Sequence, residues 1–354
     1  MNKREIQDLD TPALLLDLPT MESNLHRMAR FIGEGKAALR PHFKNHQSVW
    51  LSRRQLEVGA IGITCATLAQ AELLVSHGVK NILIAGEITN GGKINRFAEL
   101  ARQADVIVAL DNARVVTDMA RISRNKKTPL NVLVDLNIGH NRCGVAPGEP
   151  ALSLAKAAAE QGLIVRGVMG YEGHLTLTAP GPEKEKACRA ALDLAVETKQ
   201  LLERNEIPCA IVSAGSTGTH LITARHPGVT EVQAGTYLTM DTSYQPFAPD
   251  YSPALSLLVS VISKFEGKRF VIDAGRKALS GERGLPVVKS IKGVRLASLH
   301  SEHAIIEIQD PAVAVDVGDS IEIWVHYSDP TVRLHERMYG VRGDNVEEEW
   351  SIGK

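Results

Sequence analysis

The stretch NILIAGEITNGGKINRFAELARQADVIVAL, Asn81 to Leu110, carries two different hydrophobic periodicities. Its ends, NILIAG and DVIVAL, are almost continuously apolar, as expected for strands that are buried on both faces. In the segment between them, GKINRFAELARQA, apolar residues recur at three- and four-residue intervals, which is typical of a helix that covers a sheet. The stretch therefore predicts a strand, a helix and a second strand in one α/β unit.

The same alternation continues on both sides of this stretch. Apolar runs occur at AALR (37–40), GAIGITC (59–65), NILIAG (81–86), DVIVAL (105–110), LNVLVDL (130–136), IVRGVMG (164–170), CAIVSAG (209–215) and VTEVQAG (229–235). Helix-like segments such as TLAQAELLVSHGV (67–79) and EPALSLAKAAAEQG (149–162) lie between them. Eight strands alternating with helices predict a (β/α)8 TIM-like barrel, and an open doubly wound sheet is the alternative.

The pattern changes near residue 250, where short β runs follow one another without helical segments between them. These runs are ALSLLVSVISKF, KRFVIDAG, GVRLASLH, HAIIEIQD and DSIEIWVHY. They predict a mainly antiparallel β domain. The run PALLLDL (12–18) precedes the barrel runs and is assigned to that domain as well. The predicted division is thus a barrel at 20–245 and a β domain built from 1–19 and 246–354.

Composition excludes several classes of function. The 354 residues are 44% hydrophobic and 23% charged, with a net charge of -1 and no basic block, so binding to nucleic acid or an anionic membrane is not expected. The N-terminus lacks the apolar centre of a signal peptide and no apolar run is long enough to span a bilayer, which favours a cytoplasmic protein. The four cysteines show no CxxC spacing, which favours free thiols over disulfides or a zinc finger.

Unusual polar segments follow several of the predicted barrel strands. They are RPHFKNH after the first strand, NIGHNRCG after the fifth, YEGH after the sixth, SAGSTGT after the seventh and GTYLTMD after the eighth. Active sites of barrels lie at the carboxyl ends of the strands. The sequence therefore predicts an active site at this rim.

Two of these segments predict a cofactor. SAGSTGT and QAGTY follow the seventh and eighth strands, where barrels often bind phosphate, although a capped helix after a tight turn would show the same pattern. Lys44 follows the first strand, where a solvated surface lysine is the alternative. A lysine amine and a phosphate site on one rim indicate pyridoxal 5'-phosphate (PLP), because its aldehyde reacts with a lysine.

Six motifs resemble a known family. They are DTPALLLDL (10–18), RPHFKNH (40–46), DLNIGHNRCG (135–144), SAGSTGT (213–219), VIDAGRKALS (271–280) and DPTVRLHE (329–336). Together they resemble the fold-type III PLP enzymes with an alanine racemase-like barrel, within the group of D-threonine aldolase, 3-hydroxy-D-aspartate aldolase and D-serine dehydratase. The resemblance implies a barrel followed by a β domain, a homodimer and a small D-amino acid as substrate.

The resemblance also assigns roles to individual residues. Lys44 corresponds to the Schiff-base lysine, Arg142 to the arginine facing the phenolic oxygen of PLP, and Tyr171 to a tyrosine near the ring nitrogen. The residues that match the phosphate loops are Ser213, Gly215, Ser216, Thr217, Gly235 and Thr236. His174 stands where the family has a polar group near the substrate and is the candidate base, with a capping or solvent-facing histidine as the alternative. Arg40 and His42 are expected to support Lys44, and the charge of Arg40 would lower the pKa of the lysine amine if it lay close.

The resemblance further implies a divalent metal ion (Mn, Mg, Zn or Co) held by a histidine and by a carboxylate or thiolate two residues later. In WVHYSDPTV, alignment on DPTV puts Tyr327, and not His326, at the histidine position. His326 and Asp329 are nevertheless the expected metal ligands. They lie three residues apart, so a bulge or turn must intervene for both to face one ion. Glu302, His303 and His300 are weaker candidates for the site.

These assignments predict a PLP-dependent, metal-assisted lyase, an aldolase that cleaves D-configured 3-hydroxy amino acids such as D-threonine or 3-hydroxy-D-aspartate to glycine and an aldehyde. A D-serine or D-3-hydroxyaspartate dehydratase is the first alternative, and the DPTV context favours the aldolase. An amino-acid racemase is the second. A non-catalytic PLP-binding protein is disfavoured, because such carriers resemble the barrel alone.

Overall fold

The computed structural model describes residues 4–265 and 267–353. The chain divides into two compact units. One unit is formed by the chain up to His26, by Asn45–Trp50 and by the chain from Thr236 onward, and the other by Arg27–Lys44 and Leu51–Gly235. The domain boundaries that the sequence predicts at residues 20 and 245 stay a prediction.

The unit that contains Leu51–Gly235 holds an eight-stranded parallel sheet. Its strands, in chain order, are Ala38–Leu39, Ile63–Cys65, Asn81–Ile84, Asp105–Leu110, Asn131–Leu136, Ile164–Gly170, Ile211–Ala214 and Glu231–Val232. The first strand pairs with the eighth, and a parallel bridge between His42 and Thr64 joins the first to the second. The sheet therefore closes on itself, which confirms the TIM-like barrel and not the open doubly wound sheet.

Helices alternate with the barrel strands. They are Leu18–Gly33, Val49–Glu57, Leu68–Ser76, Gly91–Leu100, Ala113–Lys126, Glu149–Glu160, Pro182–Arg204 and the short His220–Thr223. Polar side chains start three of them: Thr67, Asn90 and Asn112 each accept a hydrogen bond from a backbone amide of the first turn. The structure thus places helices at the three helical segments quoted from the sequence.

The interior of the barrel is apolar at its centre and polar at one end. Leu83, Ile107, Ala109, Leu133, Met169 and Ile211 form a buried cluster. Side chains two residues apart on a strand point to the same side. Asp111, Asp135, Tyr171 and Ser213 each follow a member of this cluster by two residues, so polar groups continue the interior rows at the carboxyl ends of the strands.

Arg40 does not lie where the sequence analysis expected it. Its guanidinium makes two hydrogen bonds of 2.9 Å to the Glu231 carboxylate and one of 2.6 Å to Asn81 Oδ1. Both members of the ion pair are only 3% exposed. Glu231 and Asn81 are the first residues of their strands. They therefore lie at the end of the barrel that is opposite the polar rim. Arg40 therefore clamps three barrel strands together, and Glu231 neutralises the charge that was expected to act on Lys44.

Breaking this buried pair is expected to destabilise the barrel. Arg40→Met leaves the Glu231 carboxylate buried without its partner, a change that costs about 3–5 kcal/mol. Thermal unfolding should show a markedly lower midpoint for this variant. The double variant Arg40→Met/Glu231→Leu removes both charges and should recover most of the loss. A single variant as stable as the wild type would contradict the clamp.

The other unit contains the β sheet. Its strands are Ala13–Asp17, Leu255–Phe265, Arg269–Ile272, Val294–Leu299, Ala304–Ile308, Ser320–Trp324, Arg337–Arg342 and Asn345–Ser351. All pairings are antiparallel except that of Ala13–Asp17 with Arg337–Arg342. The mainly antiparallel β domain is confirmed, and PALLLDL contributes a strand to its sheet as predicted.

Three elements of this unit were not predicted. The last two strands are rich in charged residues, so they lack the apolar runs by which the other strands were found. The helix Ser328–Arg333 begins four residues after the strand Ser320–Trp324 ends, with Pro330 in its first turn.

Across the described ranges, no helix is both long and apolar enough to cross a membrane.

Candidate active site

The segment after the first barrel strand brings Lys44 to the carboxyl end of the barrel. The His42 amide donates to the Ala234 carbonyl (3.2 Å), and the Phe43 amide donates to the Thr64 carbonyl (2.8 Å). Lys44 is exposed, whereas Phe43 before it is fully buried. A Cβ atom on Gly235 would lie 3.0 Å from the His42 carbonyl oxygen, so the absence of a side chain there allows the close approach. Lys44 is thus held between the second and eighth strands.

The segment after the fifth strand is a loop that returns to the end of that strand. The Asn137 amide donates to the Val145 carbonyl at 2.9 Å. The Asn137 side-chain oxygen accepts hydrogen bonds from the amides of Gly139 (3.1 Å) and Asn141 (3.0 Å). One asparagine side chain therefore shapes the turn that presents Arg142.

Arg142, Tyr171, His174 and His140 gather at this loop. The guanidinium carbon of Arg142 lies 5.5 Å from the centre of the Tyr171 ring, and the His140 ring meets the Tyr171 ring edge-on at 5.2 Å. The His174 ring packs on Gly139, where a Cβ atom would come within 2.7 Å of its Cε1. The structure therefore brings three predicted residues together and adds His140.

His140 was missed because a histidine inside a loop motif carries no spacing signal of its own. Partial burial lowers its pKa, and the charges of Arg142 and His174 lower it further. The imidazole of His140 is therefore neutral at neutral pH, a state in which it can accept a proton.

A row of hydroxyl groups continues from Tyr171 into the predicted phosphate loop. Tyr171 OH lies 3.3 Å from Thr176 Oγ1, which lies 3.0 Å from Ser216 Oγ, which in turn lies 3.1 Å from Thr219 Oγ1. Hydroxyl groups rotate and can donate to an anion. We call these four side chains the hydroxyl row; Thr176 and Thr219 were not among the predicted site residues.

Other parts of the phosphate loop are organised differently from the prediction. The Gly215 amide donates to the buried Glu172 carboxylate (3.1 Å), whose other oxygen accepts from Thr223 Oγ1 (2.6 Å). The helix that follows, His220–Thr223, has four residues, so its dipole adds little attraction for an anion. The Gly215 amide is therefore already bonded to Glu172, and the hydroxyl groups of Ser216 and Thr219 are the local groups that can donate hydrogen bonds to an anion.

Three further predicted residues are buried or bonded within the fold. Ser213 Oγ accepts from Gln233 Nε2 (2.8 Å), and Thr217 is buried with its carbonyl 2.7 Å from His220 Nδ1. The Thr236 carbonyl accepts from the Met240 amide at 2.7 Å. Their contact with a phosphate stays a prediction.

The chemistry of the barrel rim fits PLP. An exposed lysine follows the first strand, Arg142 follows the fifth, and the hydroxyl row follows the sixth and seventh. Gly235 keeps the rim beside His42 clear of a side chain, since a Cβ atom there would meet His42 at 3.0–3.1 Å. An amine, a guanidinium and a set of hydroxyl donors are the groups that an aldehyde, a phenolic oxygen and a phosphate require.

The predicted metal ligands fit an ion less well. His326 Nδ1 lies 2.8 Å from Thr242 Oγ1 and its Nε2 lies 3.3 Å from the Arg283 carbonyl oxygen. Asp329 Oδ1 accepts from Asn45 Nδ2 at 2.8 Å. Among residues 4–265 and 267–353, no group of three or more His, Cys, Asp or Glu side chains is arranged to hold a metal ion. Binding by His326 and Asp329 stays a prediction, and no step of the reaction below depends on it.

The weaker candidates lie on the turn between two strands of the β sheet. Glu302, His303 and His300 are all exposed, and Glu302 forms an ion pair with Lys277. These three side chains therefore face solvent and do not form a buried set of metal ligands.

Removal of divalent ions tests the metal prediction. Because both nitrogens of His326 are hydrogen-bonded, we expect dialysis against a chelator to leave activity within about twofold and elemental analysis to find less than about one ion per chain. Tyr327→His places a histidine two residues before Asp329 and should increase binding of Mn²⁺. Activity that is lost on chelation, restored by Mn²⁺ and abolished by His326→Asn would instead support the pair His326 and Asp329.

Comparison with known proteins agrees with this arrangement. Residues 16–243 match the family described as "Alanine racemase, N-terminal domain", and residues 254–341 match "Putative serine dehydratase domain". D-threonine aldolase of Arthrobacter sp. is 32% identical over 349 residues, which cover 97% of this chain and 92% of that protein. The chain is a member of the D-threonine aldolase family. This confirms the resemblance and the predicted class of enzyme, a PLP-dependent lyase.

Other members of the family are similar over their whole length. The 3-hydroxy-D-aspartate aldolase of Paracoccus denitrificans (strain Pd 1222) is 30% identical, with 99% of this chain and 93% of that protein covered. The crystal structure of D-threonine aldolase from Filomicrobium marinum superposes with a TM-score of 0.95 at 32% identity, covering 99% of this chain and 97% of that one. Barrel and β sheet are thus both shared with the family.

Proposed function

We propose that this protein is an aldolase that cleaves D-configured 3-hydroxy amino acids to glycine and an aldehyde. The observation that carries the proposal is the convergence of Arg142, Tyr171, His140 and His174 on the rim that also holds Lys44. The names of the relatives support it, since they act on D-threonine and 3-hydroxy-D-aspartate.

The rim residues would hold PLP by complementary chemistry. The Lys44 amine would bind the aldehyde, Arg142 would donate to the phenolic oxygen, and Thr176, Ser216 and Thr219 of the hydroxyl row would donate to the phosphate. Tyr171 is a neutral partner for the ring nitrogen, as the resemblance implies. When bound, PLP supplies an electron sink for the pair of electrons left on Cα when a bond to Cα breaks.

His174 is the proposed base. It would take the proton from the substrate 3-hydroxyl, whose oxygen becomes the carbonyl oxygen of the aldehyde as the Cα–Cβ bond breaks. The electron pair of that bond stays with Cα, which gains a proton to give glycine. His140 would line the same region as a neutral imidazole, because its pKa is lowered by partial burial and by the charges of Arg142 and His174. The metal assistance that the resemblance implies is not part of this proposal.

A dehydratase is the second candidate, because residues 254–341 match the putative serine dehydratase domain. In that reaction Lys44 would remove the α-proton, the 3-hydroxyl would leave as water, and the products would be a keto acid and ammonia. Product identification with D-threonine, 3-hydroxy-D-aspartate and D-serine separates the two candidates. Glycine and an aldehyde support the proposal; a keto acid and ammonia would replace it.

A homodimer and a cytoplasmic location remain predictions of the sequence.

A further inference from the structure

Residues 171–181 join the sixth barrel strand to the next helix, and we call them the rim segment. Tyr171, His174 and Thr176 of the candidate site lie on it. The amides of Leu175 and Thr176 donate to carbonyls within the segment itself, at 3.0 and 3.3 Å. These bonds shape the rim segment but do not attach it to the rest of the barrel, so contacts with other segments are needed to hold it in place.

Two buried polar side chains make such contacts. Glu172 is fully buried, and Lys184, in the first turn of the helix Pro182–Arg204, is 3% exposed. Glutamate and lysine are almost never buried to this degree unless polar groups satisfy them. The run PEKEKACR around Lys184 is typical of a solvated helix face, so the sequence does not reveal this burial.

Glu172 connects the rim segment to the predicted phosphate loop. Its Oε2 accepts from the Gly215 amide at 3.1 Å, and its Oε1 accepts from Thr223 Oγ1 at 2.6 Å. Gly215 directly precedes Ser216, a member of the hydroxyl row. A Cβ atom on Gly215 would lie 3.0 Å from Thr223 Cγ2, so the two partners of the carboxylate also pack closely on each other. Glu172 therefore fixes the backbone from which the Ser216 side chain extends.

Lys184 connects the rim segment to the following helix. Its Nζ donates to the Thr178 carbonyl at 2.9 Å and to the Thr176 carbonyl at 3.4 Å. The Thr176 hydroxyl is the neighbour of Ser216 in the hydroxyl row, with 3.0 Å between the two oxygens. Lys184 therefore fixes the backbone of the residue that meets Ser216.

The position of these two hydroxyl groups matters for binding an anion. Thr176 and Ser216 are 5% and 8% exposed, so their oxygens have little room to move. A hydroxyl can rotate its proton toward a phosphate, but a shift of its oxygen by about 1 Å breaks the hydrogen bond. Donors that are already in place bind more tightly, because less ordering is left to occur on binding.

We propose that Glu172 and Lys184 are positioning residues for the phosphate donors. Glu172 sets Ser216 through the Gly215 amide, and Lys184 sets Thr176 through its carbonyl. The inference rests on the proposed function, in which these two hydroxyl groups donate to the phosphate of PLP. Both residues act through the groups that they hold and not by contact with the cofactor.

Binding of PLP and of pyridoxal to the full chain tests the proposal without using activity. Pyridoxal has the same ring and aldehyde but no phosphate, so the ratio of the two dissociation constants measures what the phosphate contributes. Glu172→Gln and Lys184→Met should each lower the preference for PLP by about tenfold and leave pyridoxal binding unchanged. Glu203→Gln and Lys186→Met alter exposed residues of the helix that carries Lys184 and should keep the wild-type ratio.

Milder variants keep the inference testable if the stronger ones do not fold. Thr223→Val removes one of the two donors to Glu172, while the Thr219 carbonyl keeps the amide of residue 223. It should lower the ratio by about threefold. Lys184→Gln keeps a donor and should retain more of the ratio than Lys184→Met. An unchanged ratio in Thr223→Val and in Lys184→Gln would contradict the proposal.

Ser216→Ala separates the failure of this inference from that of the proposed function. If it lowers the ratio while Glu172→Gln and Lys184→Met do not, the positioning role is wrong and the phosphate site stands. If none of the three lowers the ratio, both are wrong. If the ratios change as expected but no glycine is formed from substrate, the proposed function fails and the positioning role stands. Equal weakening of PLP and pyridoxal binding would mean a general loosening of the site and would overturn the proposal.

Discussion

Lys44→Ala is expected to lower kcat by at least about a thousandfold, because the variant lacks the amine that would hold PLP and exchange protons with the substrate. Lys44 is exposed at the carboxyl end of the first barrel strand, so its loss should leave the fold intact. The visible absorbance of the bound cofactor should disappear in the variant. Added PLP should not restore activity.

Borohydride reduction of the holoenzyme and peptide mapping give an independent readout of the same lysine. The label should be found on the peptide that contains Lys44. Lys36→Ala is the matched control, since Lys36 is also exposed and lies before the same barrel strand. A label on another lysine, or a Lys44→Ala enzyme with wild-type activity, would remove Lys44 from the site.

His174→Asn is expected to lower kcat by about 10²- to 10⁴-fold with a smaller change in KM, because it removes the proposed general base. His174 is exposed at the rim, so a small base can reach the space that the variant leaves. Added imidazole should therefore restore part of the activity. A loss caused by misfolding would not respond to imidazole.

Two variants serve as comparisons for His174. His140→Asn should reduce activity less and should show no rescue by imidazole, because His140 packs against the Tyr171 ring. His77→Asn alters an exposed histidine at the end of a helix and should behave as the wild type. If His140→Asn were the variant rescued by imidazole, the base would be His140.

The barrel could be predicted because its strands are buried on both faces and so appear in the sequence as apolar runs. All eight runs contain a strand, and the polar segments after the fifth, sixth and seventh strands contact one another. The strand Asn345–Ser351 could not be found in this way, because most of its residues are at least partly exposed and three consecutive residues are glutamates.

Contacts between residues that are far apart in the sequence could not be predicted. Arg40 lies four residues before Lys44, but its partner Glu231 is 191 positions away, and that pairing turns its charge away from the lysine. Glu172 directly follows Tyr171, yet nothing in its local pattern shows that it accepts the Gly215 amide 43 residues later.

The turn at HYSD shows the limit of motif alignment. The run DSIEIWVHY predicted a strand as far as Tyr327, but the strand ends at Trp324 and a helix begins at Ser328. The Tyr327 ring stacks under the Arg283 guanidinium at 3.8 Å, and His326 bonds to Thr242 and Arg283. Only the folded chain shows how these side chains are used.

Product identification after incubation of the holoenzyme with D-threonine and with 3-hydroxy-D-aspartate tests the central claim most directly. An aldolase releases glycine in amounts equal to substrate consumed, together with the matching aldehyde. We expect glycine from at least one of the two D substrates and none from their L enantiomers. Keto acid and ammonia in place of glycine, or glycine from the L substrates alone, would contradict the proposed function.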